Sequence, residues 1–146
     1  MKISTKGTYG LKAMVDLAYN CANGKSVTLK SICERQNISE RYLEQIIATL
    51  RKANIVNSIK GSQGGYILAE SASQITVGRI LRAVEGTLHV INSNDNEPKD
   101  KIEICIQNSV WDKLNESIDL VVDSITLEDL VFKYDKTLSD GFMLYI

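Results

Sequence analysis

The sequence is poor in the residues that most often carry chemistry. It holds one histidine, His89, one proline, Pro98, and three cysteines, Cys21, Cys33 and Cys105. An odd number of cysteines with no close pair argues against a disulfide framework, and with a single histidine a complete metal site is hard to assemble in one chain. No nucleophile–base pair stands out, and Gly64-Gly65 lacks the Lys-Ser/Thr that would follow in a nucleotide-binding loop. No enzyme and no resident cofactor are therefore expected. No apolar run approaches the roughly 20 residues that cross a bilayer. Met1–Tyr9 is polar and basic and has no apolar core of a secretory signal. A cytoplasmic location follows as the expectation. No internal repeat is visible.

What is present is a split in charge. The net charge is −1, but residues 1–70 carry ten Lys/Arg against five Asp/Glu, and residues 71–146 carry seven against thirteen. A basic first half and an acidic second half suggest different partners for each. The hydrophobic pattern adds order. Lys6–Ala22 has a helical period, with Leu11, Met14, Val15 and Ala18 on one face and Asn23-Gly24 as the stop. Thr28–Gln36 reads as a short helix capped by Thr28 and ended by Asn37. Ser39–Ala53 reads as a third helix, with Ser39 as N-cap and Tyr42, Leu43, Ile46, Ile47 and Leu50 spaced for burial. The period then changes to that of a hairpin: Ile55–Ile59, a glycine-rich turn over Lys60–Gly65, and Tyr66–Leu68. Thr76–Glu85 predicts a fourth helix ended by Gly86, and Asn92–Asp100 an exposed linker. Lys101–Ser124 predicts a long helix whose apolar stripe exceeds what so small a domain can cover, which suggests a second subunit. Thr126–Phe132 predicts a short capped helix, followed by an unexpectedly apolar terminus, Gly141–Ile146.

Helix, short helix, tight turn, amphipathic helix and glycine-turned hairpin, in that order, make a winged helix-turn-helix. The expected fold is therefore mainly α with a small β-hairpin wing and a long C-terminal dimerisation helix. The expected division is 1–86 for DNA binding, 87–100 for a linker, and 101–146 for dimerisation and the tail. The major groove of B-DNA, about 12 Å wide, admits one helix, whose first turns face base edges. Arg41, Glu44 and Gln45 are the candidate base readers, with Ser39 and Tyr42 beside them. Arg51 and Lys52 at the far end of that helix, and Lys2, Lys6, Thr8 and Tyr9 at the start of the first, are candidate phosphate contacts. At the wing, Lys60, Gly61, Ser62, Gln63 and Gly64 combine charge with close backbone approach. Each of these side chains also has a plainer reading as solvated surface or a turn requirement, and three helices with a hairpin also occur in modules that bind only protein.

Several segments together resemble the IscR/CymR group of bacterial regulators: Met1–Leu11, Ile38–Ile46 with its Tyr-Leu-Glu-Gln run, Leu50–Ala53, the Gly61–Tyr66 wing, Thr76–Ile80 and Ser124–Leu130. The resemblance runs over nearly the whole chain. It implies a homodimer that meets an inverted-repeat operator in double-stranded DNA, with Arg41, Glu44 and Gln45 at the base-reading positions and the wing in the minor groove. Some members of the group hold an iron–sulfur cluster through three cysteines in and after the linker. Here the linker has none, Cys105 matches only the last, and Asn108 stands where some members have a histidine ligand, so the resemblance points to the cluster-free branch and to no cofactor. The CymR-type repressors of that branch act on cysteine metabolism with cysteine synthase as partner, and the apolar ending is similar to theirs. By analogy, Tyr145 and Ile146 become candidates for docking on that enzyme; packing of the tail on its own dimer is the alternative. Cys33 reads as a core filler, Cys21 and Cys105 as candidate redox thiols, and His89 as a surface residue. An iron–sulfur or thiol-sensing regulator and a protein adaptor without DNA binding remain the competing functions.

Overall fold

The computed structural model describes residues 2–91 and 100–144, with side chains through Gly141. Three helices come first: α1 (Thr5–Asn20), α2 (Leu29–Gln36) and α3 (Glu40–Lys52). Each begins at a hydroxyl cap. Ser4, Thr28 and Ser39 accept hydrogen bonds from the backbone N–H of Gly7, Ser31 and Tyr42 respectively, which satisfies donors that a helix start leaves free. Asn37, in the left-handed region at φ 53°, ends α2. This fixes the tight turn into Ser39.

Strands β1 (Val56–Ile59) and β2 (Gly65–Leu68) pair antiparallel, with Val56 opposite Leu68 and Ile59 opposite Gly65. Val27 adds a short third rung through two hydrogen bonds with Tyr66 of 2.9 and 2.8 Å. A Cβ at Gly65 would lie 2.6 Å from the Val27 carbonyl oxygen, so this rung requires glycine there. Gly61, at φ 110°, opens the turn, and Gly64 N–H closes it on the Gly61 carbonyl at 3.0 Å.

A single 3-10 turn (Ala72–Gln74) leads to α4 (Val77–Glu85), capped by Thr76. The expected linker falls on residues 92–99, which lie outside the described residues; beyond them α5 (Lys101–Ile106), a π-helical segment (Gln107–Trp111) and α6 (Asp112–Ser124) follow one another without a break. The π segment is held by the Asp112 N–H on the Gln107 carbonyl. Then α7 runs over Leu127–Leu144. The expected short helix ending at Phe132 is thus a correction: α7 is 18 residues long. Thr126 and Asp129 form a reciprocal capping box, at 3.1 and 2.9 Å, that launches it. Tyr145 and Ile146 lie outside the described residues.

The main core gathers Met14, Leu17, Ile32, Leu43, Ile46, Ile47, Leu50, Ile55, Ile75 and Ile80, with Leu127 of α7 closing it. A smaller cluster, Val77, Leu81 and Leu88, joins α4 to Ile118, Val122 and Ile125. The long helix therefore spends one side on its own chain. Ile102, Ile104, Ile106, Val110, Leu114, Leu120 and Val121 stay exposed.

Candidate nucleic-acid interface

Helix α3 is divided lengthwise. Leu43, Ile46, Ile47 and Leu50 are fully buried, while Arg41, Glu44, Gln45 and Ala48 are exposed. The spacing of 41, 44, 45 and 48 is one helical stripe. Small Ala48 in that stripe lets the helix approach a flat partner closely, and the sequence reading missed it because alanine carries no recognition chemistry of its own. The start of α1 lies beside this stripe. Tyr9 meets Tyr42 edge-on, with ring centroids 5.8 Å apart, and the Lys12 ammonium sits 5.6 Å from the Tyr9 ring centroid. Both tyrosines are half-buried, so their rings join α1 to α3 while their edges face outward. Ser39 spends its acceptor on the Tyr42 N–H at 3.2 Å; its own hydroxyl proton is still able to reach an anion.

The cations sort into two groups. Arg35 forms a two-pronged pair with buried Asp16 at 2.9 and 2.8 Å, Arg79 pairs with Glu70, and Arg82 bridges Asp119 and Asp123. These hold the fold. Among the described residues, Lys2, Lys6, Arg41, Arg51, Lys52 and Lys60 are in no ion pair. Arg51 and Lys52 border a groove of about 630 Å³ between the end of α3 and the hairpin, together with Asn57 and Ser58. At the wing tip Lys60, Gly61, Ser62 and Gln63 are exposed and Gly64 half-buried. The Ser26 hydroxyl donates to the Gln63 carbonyl at 2.5 Å. That bond brings exposed Lys25 to the wing, an addition that depends on the non-local Val27 rung and so left no local signal. Lys2 and Thr8 are exposed and Lys6 half-buried. Thr8 back-bonds to the Ser4 carbonyl at 3.3 Å.

The thiols are separate. Cys105 is exposed on α5, and Cys21 and Cys33 are half-buried. Burial, with Glu40 second, pushes the Cys33 thiol up, which suits a filler rather than a nucleophile. Among the described residues no group of three or more His, Cys, Asp or Glu is placed to hold a metal. The linker supplies no thiolate, and Asn108 next to Cys105 is a neutral amide, so this donor set does not fit an iron–sulfur cluster. His89 is exposed, as expected, and its Nε2 lies 3.0 Å from Asp119.

Comparison with known proteins agrees with this geometry. The Rrf2 family, described as iron-dependent transcriptional regulators, matches residues 3–133. The chain is 40% identical to the HTH-type transcriptional regulator CymR of Bacillus subtilis over the full length of both. It is similar to the solved structure of that protein, described as the global cysteine regulator of B. subtilis, with a TM-score of 0.76 over 91% of this chain and 98% of that one. It is also similar to T. potens IscR, at 47% identity and a TM-score of 0.74 over 94% and 90% of the two chains. With a buried half and an exposed half on α3, a wing beside it and these likenesses along its length, the chain belongs to the Rrf2 family of winged helix-turn-helix transcriptional regulators.

Proposed function

We propose that this protein is a homodimeric, cytoplasmic, sequence-specific DNA-binding repressor of cysteine or sulfur metabolism genes, without catalytic activity. The observation that carries the DNA reading is α3: its inner side is fully buried, its outer stripe offers Arg41, Glu44 and Gln45, and Lys2, Lys6, Arg51, Lys52 and Lys60 are in no ion pair among the described residues. Arg41 pairs with guanine and Gln45 with adenine, while Glu44 accepts from cytosine and repels phosphate, tuning specificity over affinity. Ser39, Tyr42, Thr8, Tyr9, Lys2, Lys6, Arg51 and Lys52 hold the phosphates, and Lys60–Gly64 enters the minor groove.

Residues 1–86 read DNA, 87–100 connect, and 101–146 dimerise through the exposed apolar stripe of α5–α6. The metabolic assignment rests on the full-length likeness to B. subtilis CymR. On that basis cysteine synthase is the partner, met by the terminal Tyr145-Ile146 carboxylate. Of the thiols, Cys105 is the exposed one and Cys21 the second candidate for oxidation. The donor set at the linker keeps the family's iron dependence from extending to this chain.

Selection of bound duplexes from random DNA, with and without cysteine synthase and O-acetylserine, tests this reading. The expected product is an inverted repeat with half-sites about one helical turn, roughly 34–36 Å, apart. Its affinity should change when the enzyme is added. Failure to retain any duplex at low salt overturns DNA binding; enrichment indifferent to the enzyme removes the partner. Deleting Tyr145 and Ile146 should abolish the enzyme's effect while leaving dimers intact.

A further inference from the structure

We propose that Glu85 is a positioning residue for the DNA-facing start of α1, an inference that rests on the DNA-binding reading above. Glu85 is the last residue of α4, yet its carboxylate sits on the beginning of the chain. Its Oε1 accepts the Ser4 N–H at 2.9 Å and also the Ser4 hydroxyl. Ser4 is the N-cap of α1, and its Oγ in turn accepts from the Gly7 N–H at 3.4 Å.

Gly7 makes room for this arrangement. A Cβ there would overlap the Glu85 carboxylate oxygen and lie 2.9 Å from Ile3. One turn on, a Cβ at Gly10 would lie 3.6 Å from Val84, so α4 approaches α1 along a face without side chains. The carboxylate thus rests at the positive end of the α1 dipole and ties Ile3 and Ser4 in place. Lys2 and Lys6 flank the tie, and neither is in an ion pair among the described residues. One turn earlier on α4, Arg82 donates to Asp119 at 2.8 Å and to Asp123 at 2.6 and 3.0 Å on α6. The start of α1 is therefore fixed, through α4, to the helix that bears the exposed apolar stripe.

Two effects of this carboxylate have opposite sign. As a bare negative charge beside a phosphate-binding surface it weakens association with DNA. As the group that holds Ser4, it keeps Lys2 and Lys6 aimed and strengthens association. Glu85→Gln removes the charge and keeps an acceptor oxygen for Ser4; Glu85→Ala removes both. The test is fluorescence anisotropy with a labelled copy of the selected duplex, over a salt series, with dimer mass and helix content checked for each variant. Glu85→Gln is expected to bind as well as the unaltered protein or better. Glu85→Ala is expected to bind at least about fivefold more weakly than Glu85→Gln, with a salt dependence shallower by ~1–2 phosphate contacts. Gly7→Ala, whose methyl displaces the carboxylate while Glu85 itself is unaltered, is expected to resemble Glu85→Ala. Equal binding by the Ala and Gln variants, with the unaltered protein still binding, overturns the role of Glu85 alone. Should Glu85→Ala not fold, a native-like Gly7→Ala that binds like the unaltered protein overturns it equally. A duplex that the unaltered protein does not retain removes the DNA reading and this inference with it.

Discussion

Gln45 and Lys60 are both exposed, and the DNA-binding reading gives them different tasks. A bidentate amide on one base distinguishes sequences; an ammonium at a phosphate or in the minor groove largely does not. Gln45→Ala should therefore relax discrimination at one base position by ~1–3 kcal/mol. Lys60→Ala should weaken all duplexes alike and flatten the salt dependence. Competition with single-base operator variants measures both, and an even loss across sequences for Gln45→Ala would show the assignment to be wrong. Asp119 gives a pH prediction at the same scale. Its hydrogen bond from Arg82, and then that with His89, holds its carboxyl below the usual range. A carboxyl with a lowered value in the folded state stabilises above its unfolded pKa of about 3.9 and loses that contribution as pH falls through the folded value. The urea midpoint of Asp119→Asn should accordingly lie below that of the unaltered protein at pH 7, and the gap should narrow only as the pH falls below the unfolded value of about 3.9 and through the lowered folded one.

Helix starts were legible because their signals are local. Ser39, Thr28 and Thr76 each precede an apolar period, and each accepts the expected N–H. The exposed stripe of α3 was legible for the same reason: once Leu43, Ile46, Ile47 and Leu50 are assigned inward, Arg41, Glu44 and Gln45 have one direction left. What was hidden depends on distant residues. The Val27 rung, the Ser4–Glu85 tie and the Arg82 bridge join segments far apart in sequence, and none follows from spacing. The length of α7 was hidden because its second half, from Lys133 to Asp140, is exposed throughout and carries no buried stripe to mark it. Two measurements act at this scale. Leu43→Ala, in a fully buried position, should cost about 2–5 kcal/mol in denaturant unfolding, far more than any change on the outer stripe. Thr126→Ala removes a capping-box acceptor and should cost about 1 kcal/mol, with loss of amide protection in the first turn of α7.

Over the whole molecule, the basic first half holds the surface proposed for DNA, and the acidic second half carries α5, α6 and α7. Such a separation keeps phosphate away from the helix proposed to form the dimer. Leu120 is 73% exposed on α6, a poor position for a leucine in an isolated subunit and a good one in a seam between two. Leu120→Asp should therefore give monomers in sedimentation and lose operator affinity by much more than its distance from α3 suggests, because two tethered half-site contacts become two independent ones. A variant that stays dimeric and binds normally would place the seam elsewhere. The π segment at Gln107–Trp111 has a consequence for this seam. One surplus residue in a regular α-helix would turn everything before it by about 100° relative to everything after it, and the wider π turn takes that rotation up. The rod is thus a splined shaft with a slip joint in it, and Ile102 and Ile106 keep the bearing of Leu114. Excising Ser109 would close that slip joint and leave the two lengths of spline in line, so the shaft and the coupling along it should both survive the cut.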